Sequence, residues 1–350
     1  MKRELILIGP IDTGNMALTG DVMKNQLFLK RFEEVFDVVI PIDTINWKRR
    51  PWVLLKITWM LLTHPSATVI LSTNTASADR IIRILKRISL DKRIHYWVVG
   101  GTIHKSFQSG KFNVDNYKGL RAIIVQGMSI SDSLKNQGLT NAVFVPNSKY
   151  IDYIPLKKEK EDAVIHFVFL SRLETNKGCD EIIQASDILN YCGYEGKFDI
   201  TFYGKTIDEE GYYEKFIDAI KAHNEISYSG TLNLRDTQNY DELAKYDVML
   251  FPTFWHGEGF PGVVIDAYIA GLPIIASDWN LNMEVIEDGV TGWIIPVHDV
   301  QALAEKMKTV IDHPQMLKPM IAKCNEKAIE FDSRFVLSEE NLRKLNLILQ

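Results

Sequence analysis

The stretch YDVMLFPTFWHGEGFPGVVIDAYIAGLPIIASD, residues 246–278, indicates the fold class of this chain. An apolar, strand-like run (246–252) precedes a turn and a helical segment, and a second apolar run (272–278) follows them. Strands of four to seven residues that alternate with helices indicate βαβ units and a parallel sheet. The same segment carries two carboxylates, Glu258 and Asp266, in apolar surroundings, where an unpaired charge is costly. Either these acids pair with protein groups or they bind a polar ligand.

The same alternation of apolar runs and helical segments extends over the rest of the chain. Strand-like runs of the first half occur at residues 4–10, 37–42, 68–73, 95–101, 122–127 and 142–147. Those of the second half occur at residues 166–172, 198–204, 226–230, 246–252 and 273–277. We therefore predict two doubly wound, Rossmann-like α/β domains. Ligands of open parallel sheets bind beyond the carboxyl ends of the strands, which favours a site in a central cleft that both domains face.

Length and charge also favour two domains. A chain of 350 residues is longer than one domain with a single hydrophobic core usually is. Residues 1–150 hold 21 Lys and Arg against 11 Asp and Glu, and the remainder holds 19 against 34. The stretch LKKEKED, residues 156–162, is typical of a linker. We predict a first domain at 1–155, a linker at 156–163, a second domain at 164–330, and a C-terminal helix at 331–350. Packing of that helix back on the first domain is one option.

Cysteine usage and hydropathy help to predict the cellular compartment of the protein. The three cysteines, Cys179, Cys192 and Cys324, show no CxxC spacing, which argues against a disulfide framework and a zinc site. The opening residues MKRELILIGP lack a signal-peptide pattern, which favours a reducing cytoplasm. The most apolar stretch outside the strands, residues 53–62, is shorter than the roughly 20 residues that span a bilayer.

Two loops that follow strand-like runs offer positive potential to an anion. In FLSRLETNKGCDEIIQA, residues 169–185, Arg172 and Lys177 follow a strand, where a planar fork and a mobile point charge suit a diphosphate. In residues 254–268, glycines leave the backbone open and Pro261 can begin a helix, whose free N–H groups attract an anion. The alternative for the two cations is an ordinary solvated loop.

The two acids of the opening segment fit the same ligand. Glu258, in the loop, could accept hydrogen bonds from sugar hydroxyls. Asp266, about one turn into the helix, could accept a pair of vicinal hydroxyls such as those of ribose. One nucleotide diphosphate sugar would then account for both carboxylates and both cations. The alternative is that both acids pair with residues of the core.

These motifs resemble the donor domain of the retaining glycosyltransferases of family four, which have the GT-B fold. The resemblance rests on SRLETNKG (171–178), GEGFPGVVIDAYIAGLPIIASD (257–278) and EVIEDGVTGWIIP (284–296). The resemblance is strong over residues 165–300 and weaker over the basic first half. The most specific element is a pair of acids separated by seven residues. The family has Glu at both positions, whereas this chain has Glu258 and Asp266.

The resemblance implies a role for each matching residue. Arg172 and Lys177 would hold the donor diphosphate, near Gly20 at the start of the first long helix. Asp266 would take the ribose hydroxyls. Glu258 would contact the transferred sugar as a catalytic residue. The backbone of four residues would lie beside that sugar: Gly259, Phe260, Pro261 and Gly262.

The family often places a histidine near the reacting centre, after the fourth strand of the first domain. The corresponding region is YWVVGGTIHKSF, residues 96–107, and it makes His104 the catalytic candidate. His104 follows two glycines, unlike the family's histidine, which comes directly at the strand end. The alternative is a structural or surface role for His104, and His256 is a second candidate.

The resemblance also implies a mechanism with retention of configuration. The acceptor would attack the face that the leaving diphosphate vacates, and a diphosphate oxygen would accept the acceptor's proton. Arg172, Lys177 and the helix N-terminus would stabilise the charge that develops on the diphosphate. We therefore expect a UDP- or GDP-linked sugar as donor, no metal ion and no cofactor.

Residues 46–97 contain ten cations, two acids and the aromatic residues Trp47, Trp52 and Trp59. Basic residues with interfacial aromatics suit an anionic membrane surface. No nucleic-acid-binding motif accompanies the charge, so we expect no nucleic-acid partner. The alternative is an ordinary solvated helix face. We expect a peripheral protein on the inner face of the cytoplasmic membrane that glycosylates a lipid-linked saccharide, as similar sequences do in capsule, exopolysaccharide and lipopolysaccharide assembly.

Two other functions fit the same fold. A sugar-nucleotide 2-epimerase would need its own acid–base residues on the first domain. A non-catalytic GT-B scaffold would instead bind a partner transferase. The acid pair and the SRLETNKG loop favour the transferase over the epimerase, and Arg172, Lys177 and Glu258 argue against the scaffold.

Overall fold

The fold is that of a computed structural model, which describes residues 2–12, 19–157, 162–206 and 211–348. The chain divides into two compact units. Unit 1 comprises Met1–Tyr150 and Ser333–Gln350, and unit 2 comprises Ile151–Asp332. The predicted linker at 156–163 falls within unit 2, and its residues 158–161 lie outside the described part of the chain. Nearly all of the predicted C-terminal segment is assigned to unit 1.

Each unit has a six-stranded sheet in its described residues. The strands of unit 1 are β1 (Glu4–Gly9), β2 (Val38–Asp43), β3 (Thr68–Asn74), β4 (Ile94–Val99), β5 (Ala122–Val125) and β6 (Ala142–Phe144). The strands of unit 2 are β7 (Ile165–Leu170), β8 (Phe198–Tyr203), β9 (Ile226–Tyr228), β10 (Val248–Phe251), β11 (Ile274–Ser277) and β12 (Gly292–Ile295). Neighbouring strands are parallel, in the orders β2-β1-β3-β4-β5-β6 and β12-β11-β10-β7-β8-β9.

Helices connect these strands. Those of the first part of unit 1 are α1 (Gly20–Val35), α2 (Trp52–Thr63), α3 (Thr75–Lys86), α4 (Ile103–Gln108) and α5 (Met128–Asn136). Those of unit 2 are α6 (Cys179–Tyr191), α7 (Tyr212–Ile220), α8 (Asn239–Leu243), α9 (Gly262–Ile269), α10 (Asn282–Val285), α11 (Val300–Asp312) and α12 (Leu317–Glu330). The C-terminal segment of unit 1 contains α13 (Ser333–Val336) and α14 (Glu339–Lys344). Two parallel sheets flanked by helices confirm the predicted fold class.

Every apolar run that was predicted as a strand overlaps a strand of these sheets. Strand β12, however, corresponds to none of the predicted runs. This strand has four residues and pairs only with β11 among the described strands, so it lies at a sheet edge.

The core of unit 1 joins the sheet, α1 and the C-terminal segment. Phe28 and Phe32 lie one turn apart on α1, with ring centroids 5.6 Å apart, and Phe28 lies 4.4 Å from the Trp97 ring of β4. Leu337 and Leu342 of the C-terminal segment are fully buried in this cluster. Burial of one such side chain contributes about 1.5–3 kcal/mol, which explains why this segment belongs to unit 1.

Helix α9 of unit 2 is apolar apart from Asp266 and Tyr268, and it is buried from Val264 to Ile269, which is typical of a helix inside a protein. The chain reaches α9 by a loop that begins at the carboxyl end of β10. Strand β10 is the neighbour of β7 in the sheet. The loops that follow these two strands therefore emerge at the same edge, where ligands of parallel sheets bind.

Candidate active site

Two loops meet at the carboxyl edge of the unit 2 sheet, and we name them the β7 loop (residues 171–178) and the β10 loop (residues 252–261). Gly178 has a φ of +82°, and a Cβ atom there would lie 2.4 Å from the carbonyl oxygen of Pro252. The N–H of Phe254 donates to a carbonyl oxygen of the β7 loop at 2.9 Å. The close approach of the loops thus requires glycine at position 178.

Lys177 of the β7 loop and Glu258 of the β10 loop form a buried ion pair. The Nζ atom of Lys177 contacts Oε2 of Glu258, and the two residues are 4 % and 8 % exposed. The Thr253 hydroxyl donates to the same oxygen at 3.4 Å. Glu258 is therefore compensated by a residue that was itself predicted to bind phosphate. Removal of one partner would leave the other as an uncompensated buried charge.

Arg172, the other predicted diphosphate ligand, is partly exposed on the β7 loop. Its Nη1 atom lies 2.5 Å from Oε1 of Glu174. Its guanidinium carbon lies 4.8 Å from the ring centroid of Trp255, and Lys177 Nζ lies 4.4 Å from the same centroid. The two cations therefore share one aromatic ring of the β10 loop.

The backbone of the β10 loop is fixed on both sides of Glu258. Trp279 Nε1 donates to the carbonyl oxygen of Trp255 at 2.8 Å, and Asn280 Nδ2 donates to that of Glu258 at 3.1 Å. The loop runs into the N-terminus of α9, which no side chain caps among the described residues. The free N–H groups of such a helix end attract an anion.

The four residues predicted beside the donor sugar follow Glu258 directly. Pro261 occupies the N-cap position of α9, and Gly262 is the first residue of the helix. Phe260 is buried, and its ring centroid lies 5.3 Å from that of Phe331. The side chain of Phe260 thus anchors the loop, and Gly259 joins this anchor to Glu258.

Asp266 is buried in α9 and has a tyrosine as a partner. The hydroxyl of Tyr240 on α8 donates to Oδ1 of Asp266 at 2.6 Å. Burial raises the pKa of Tyr240, and the adjacent carboxylate of Asp266 raises it further. The hydroxyl therefore keeps its proton and remains a donor. Glu258, by comparison, contacts the ammonium group of Lys177.

The two candidates outside unit 2, Gly20 and His104, lie in unit 1 at the starts of helices. Gly20 is the first residue of α1, and a Cβ atom there would meet no described atom within 4 Å. His104 is the second residue of α4, and its buried Nδ1 atom has no hydrogen-bond partner among the described residues. Burial lowers the pKa of His104, as does the neighbouring Lys105, so the imidazole is neutral at pH 7. His256 of unit 2 is exposed.

The positive charge of the unit 2 site comes from Arg172, Lys177 and the α9 N-terminus. In the described part of the chain, no three His, Cys, Asp or Glu side chains are grouped so that they could hold a metal ion. Within the same ranges, no helix has both the length and the apolar character needed to cross a membrane.

The structure brings Arg172, Lys177 and Glu258 together, and it adds three residues that sequence reasoning missed. Thr253 and Trp255 contact the ion pair or the cations, and Tyr240 contacts Asp266. Each contact joins two separate elements or depends on the path of a loop. Residue spacing in the sequence therefore offers no sign of these contacts.

Two doubly wound units, with paired charges at the carboxyl edge of the second, define a protein of the GT-B class. The chain belongs to the family described as glycosyl transferases group 1, whose family model matches residues 153–330, just over half of the chain. The match covers nearly all of unit 2 and includes both loops of the site.

Solved structures agree on the fold. A sucrose-phosphate synthase from Thermosynechococcus elongatus matches with a TM-score of 0.72 over 98 % of both chains, at 13 % identity. HepE from Anabaena, solved in complex with UDP, matches with a TM-score of 0.71 over 99 % of this chain and 100 % of its own, at 16 % identity. Such low identities show the fold alone, and the GT-B prediction is confirmed.

Curated relatives resemble this chain over a more limited range. The capsular polysaccharide biosynthesis glycosyltransferase CapM of Staphylococcus aureus is 27 % identical over 183 residues, which are 49 % of this chain and 43 % of CapM. The amylovoran biosynthesis glycosyltransferase AmsK of Erwinia amylovora is 28 % identical over 144 residues, 40 % of this chain and 34 % of AmsK. The matches thus span less than half the length of these relatives.

Proposed function

We propose that this protein is a retaining, metal-independent glycosyltransferase that moves a sugar from a UDP- or GDP-linked donor to a saccharide acceptor. The observation that carries the proposal is the buried pair of Lys177 and Glu258, with Arg172 on the same aromatic ring. Two cations suit the diphosphate of the donor, and a carboxylate suits the hydroxyls of its sugar.

Donor binding would exchange partners within this site. The diphosphate accepts hydrogen bonds from Lys177 and Arg172, and the Glu258 carboxylate turns to the sugar hydroxyls. Because each buried charge gains a new partner as it loses the old one, neither is left uncompensated. Asp266 accepts the ribose hydroxyls, and its bond from Tyr240 holds the carboxylate in one orientation.

In the transfer step, the acceptor oxygen bonds to the anomeric carbon as the bond from that carbon to the diphosphate oxygen breaks. The departing oxygen takes the acceptor's proton, and attack and departure on one face retain the configuration. Arg172, Lys177 and the α9 N–H groups stabilise the charge on the leaving diphosphate. One donor aimed at such a developing charge lowers a barrier by about 2.7–4 kcal/mol.

Gly20 and His104 of unit 1 complete the proposed machinery. A Cβ atom at Gly20 would meet no atom of the described residues within 4 Å, which supports a close approach of phosphate to the start of α1. The neutral imidazole of His104, whose Nδ1 has no partner within the described residues, supports a hydrogen-bonding role in catalysis. Replacement of His104 by Ala should lower kcat and leave the affinity for nucleotide unchanged.

The functions of the relatives support a proposed acceptor and a proposed pathway for this protein. CapM acts in capsular polysaccharide biosynthesis and AmsK in amylovoran biosynthesis. We propose that this protein likewise extends a lipid-linked saccharide in the assembly of a bacterial surface polysaccharide. The UDP complex of HepE supports a UDP-linked donor.

Thermal unfolding with a panel of UDP- and GDP-sugars and free nucleotides, in EDTA, tests the donor site. A ligand at 100 times its Kd stabilises a protein by about 2.7 kcal/mol. Arg172→Ala and Lys177→Met should abolish the shift, whereas Lys221→Ala, at an exposed ion pair of unit 2, should preserve it. If no nucleotide shifts the unfolding of the wild type, the proposal is wrong. Release of an epimerised nucleotide sugar would favour the epimerase instead.

Helix α2 supports the proposed contact of residues 46–97 with an anionic membrane. Its inward face buries Val53, Ile57 and Leu61. Four large apolar residues on the opposite face are 58 to 74 % exposed: Trp52, Leu55, Trp59 and Leu62. The basic residues Lys48 and Arg49 precede the helix in a short 3₁₀ turn. An exposed apolar stripe beside basic residues is typical of a helix that lies in a membrane interface.

Cosedimentation with vesicles tests this contact. The protein should bind vesicles that contain phosphatidylglycerol more strongly than phosphatidylcholine vesicles, and salt should weaken the binding. Leu55→Asp and Trp59→Asp should abolish it. Tyr191→Asp, a change at an exposed aromatic residue of unit 2, serves as the matched control. Unchanged binding by both α2 variants would contradict the contact.

A further inference from the structure

Trp255 is the residue of the β10 loop whose side chain contacts both cations of the site. Its indole ring lies against Lys177 and Arg172, with 4.4 and 4.8 Å between the ring centroid and the two charged groups. The residue is partly exposed, so its ring borders both the buried ion pair and the open side of the loop. No element of the resemblance assigns a role to this position.

Contacts within and beside the β10 loop hold the indole ring in this position. A Cβ atom at Gly257 would lie 2.6 Å from Cζ2 and 2.8 Å from Cη2 of Trp255, so glycine provides the space that the indole fills. The carbonyl oxygen of Trp255 accepts hydrogen bonds from Trp279 Nε1 at 2.8 Å and from the N–H of Glu258 at 3.0 Å. Both the side chain and the backbone of Trp255 are therefore fixed.

An aromatic ring suits two neighbouring cations better than a further carboxylate would. The like charges of the two cations repel each other, but a diphosphate can contact both only if they lie on the same side of the site. The negative face of an indole attracts a guanidinium or an ammonium without accepting their N–H groups as strong hydrogen bonds. Each cation also contacts one carboxylate, Arg172 that of Glu174 and Lys177 that of Glu258. The ring leaves their remaining N–H groups available to the oxygens of a ligand.

We propose that Trp255 is a positioning residue for the diphosphate of the donor, because it holds Arg172 and Lys177 on one ring. This inference rests on the proposed function of the same site. Two phosphates need both cations, whereas one phosphate needs only one. Loss of the ring should therefore weaken the binding of nucleoside diphosphates more than that of nucleoside monophosphates.

Calorimetric titration of the full chain with UDP, UMP, GDP and GMP in EDTA tests this difference. Trp255→Leu should weaken the binding of the preferred diphosphate roughly tenfold, because two cation–π contacts are lost. The affinity for the matching monophosphate should change less than about threefold on the same reasoning. Trp255→Phe, which keeps a smaller ring, should restore part of the loss. Phe254→Leu is the matched control, because its ring packs against His298 and against neither cation.

A second variant keeps the test decisive if Trp255→Leu does not fold. Gly257→Ala pushes the indole from its place and should give a diphosphate-selective loss of the same sign. An unchanged ratio of diphosphate to monophosphate affinity in the folded variants would overturn the role of Trp255 and leave the donor site intact. A wild-type protein that binds neither UDP nor GDP would instead overturn the proposed function, and this inference with it.

Discussion

The β10 loop of unit 2 and helix α2 of unit 1 depart from ordinary burial in opposite directions. The loop takes part in a buried ion pair, Lys177 with Glu258, whereas the helix exposes two tryptophans and two leucines on one face. Charged residues are rarely buried unless they are paired, and contiguous exposed apolar groups often mark an interaction surface. These opposite departures are what the proposed partners require, a diphosphate for the loop and a lipid surface for the helix.

The ion pair should give the largest effect on stability. Lys177→Met leaves the Glu258 carboxylate buried without its cation, and the free energy of unfolding should fall by about 3–5 kcal/mol. Urea denaturation followed by circular dichroism measures this change.

The double variant Lys177→Met/Glu258→Leu separates the charge from the packing. It should be more stable than Lys177→Met alone, because no unpaired charge remains. A loss in the double variant equal to the sum of both single losses would show that the two charges do not interact, and the comparison with α2 would then fail.

The next largest expected effect is a loss of stability at acid pH. It arises from a buried histidine of unit 1, His95. Burial lowers the pKa of His95 on β4 to about 4, although the Val69 carbonyl oxygen accepts a hydrogen bond from its ring. The folded state then binds fewer protons than the unfolded state between pH 6.5 and about 4. The free energy of unfolding should therefore fall as the pH drops through this window, by up to roughly 3 kcal/mol.

Two measurements check the role of His95. The pH dependence of unfolding should be flatter in His95→Gln than in the wild type. Proton NMR of the folded protein should show that His95 titrates well below pH 6. Titration near 6.5 would mean that unit 1 does not hold this imidazole neutral by burial.

A smaller loss is expected at the second acid of unit 2. Tyr240→Phe removes the hydroxyl that donates to Asp266 and preserves the ring, so the free energy of unfolding should fall by about 1.5–3 kcal/mol. Tyr228→Phe is a matched change at a tyrosine whose hydroxyl donates at 2.9 Å to the carbonyl oxygen of Gly204, a neutral partner, and it should cost less. Equal losses would indicate that the charge of Asp266 adds nothing to its hydrogen bond.

The sequence predicts the sheets and the meeting of Arg172, Lys177 and Glu258 for the same reason. Apolar runs mark the strands, and the carboxyl ends of adjacent parallel strands lie at one edge. Contacts within that edge, such as those of Trp255, depend on loop paths that no periodicity encodes. Helix α2 is a different case, because both of its faces are apolar. The pattern of its residues therefore does not tell which face is buried.

The smallest effect on stability is expected from a truncation on the exposed face of α2. It directly tests whether this face lacks packing contacts, in contrast to the buried ion pair of the β10 loop. Leu55→Ala should change the free energy of unfolding by less than about 0.5 kcal/mol, because a surface side chain has few packing contacts to lose. Ile57→Ala, on the buried face of the same helix, should cost about 2–5 kcal/mol. Both changes keep helix propensity high, so the difference reports packing alone. A large loss in Leu55→Ala would mean that this face already packs against protein, and it would then be unavailable to a membrane.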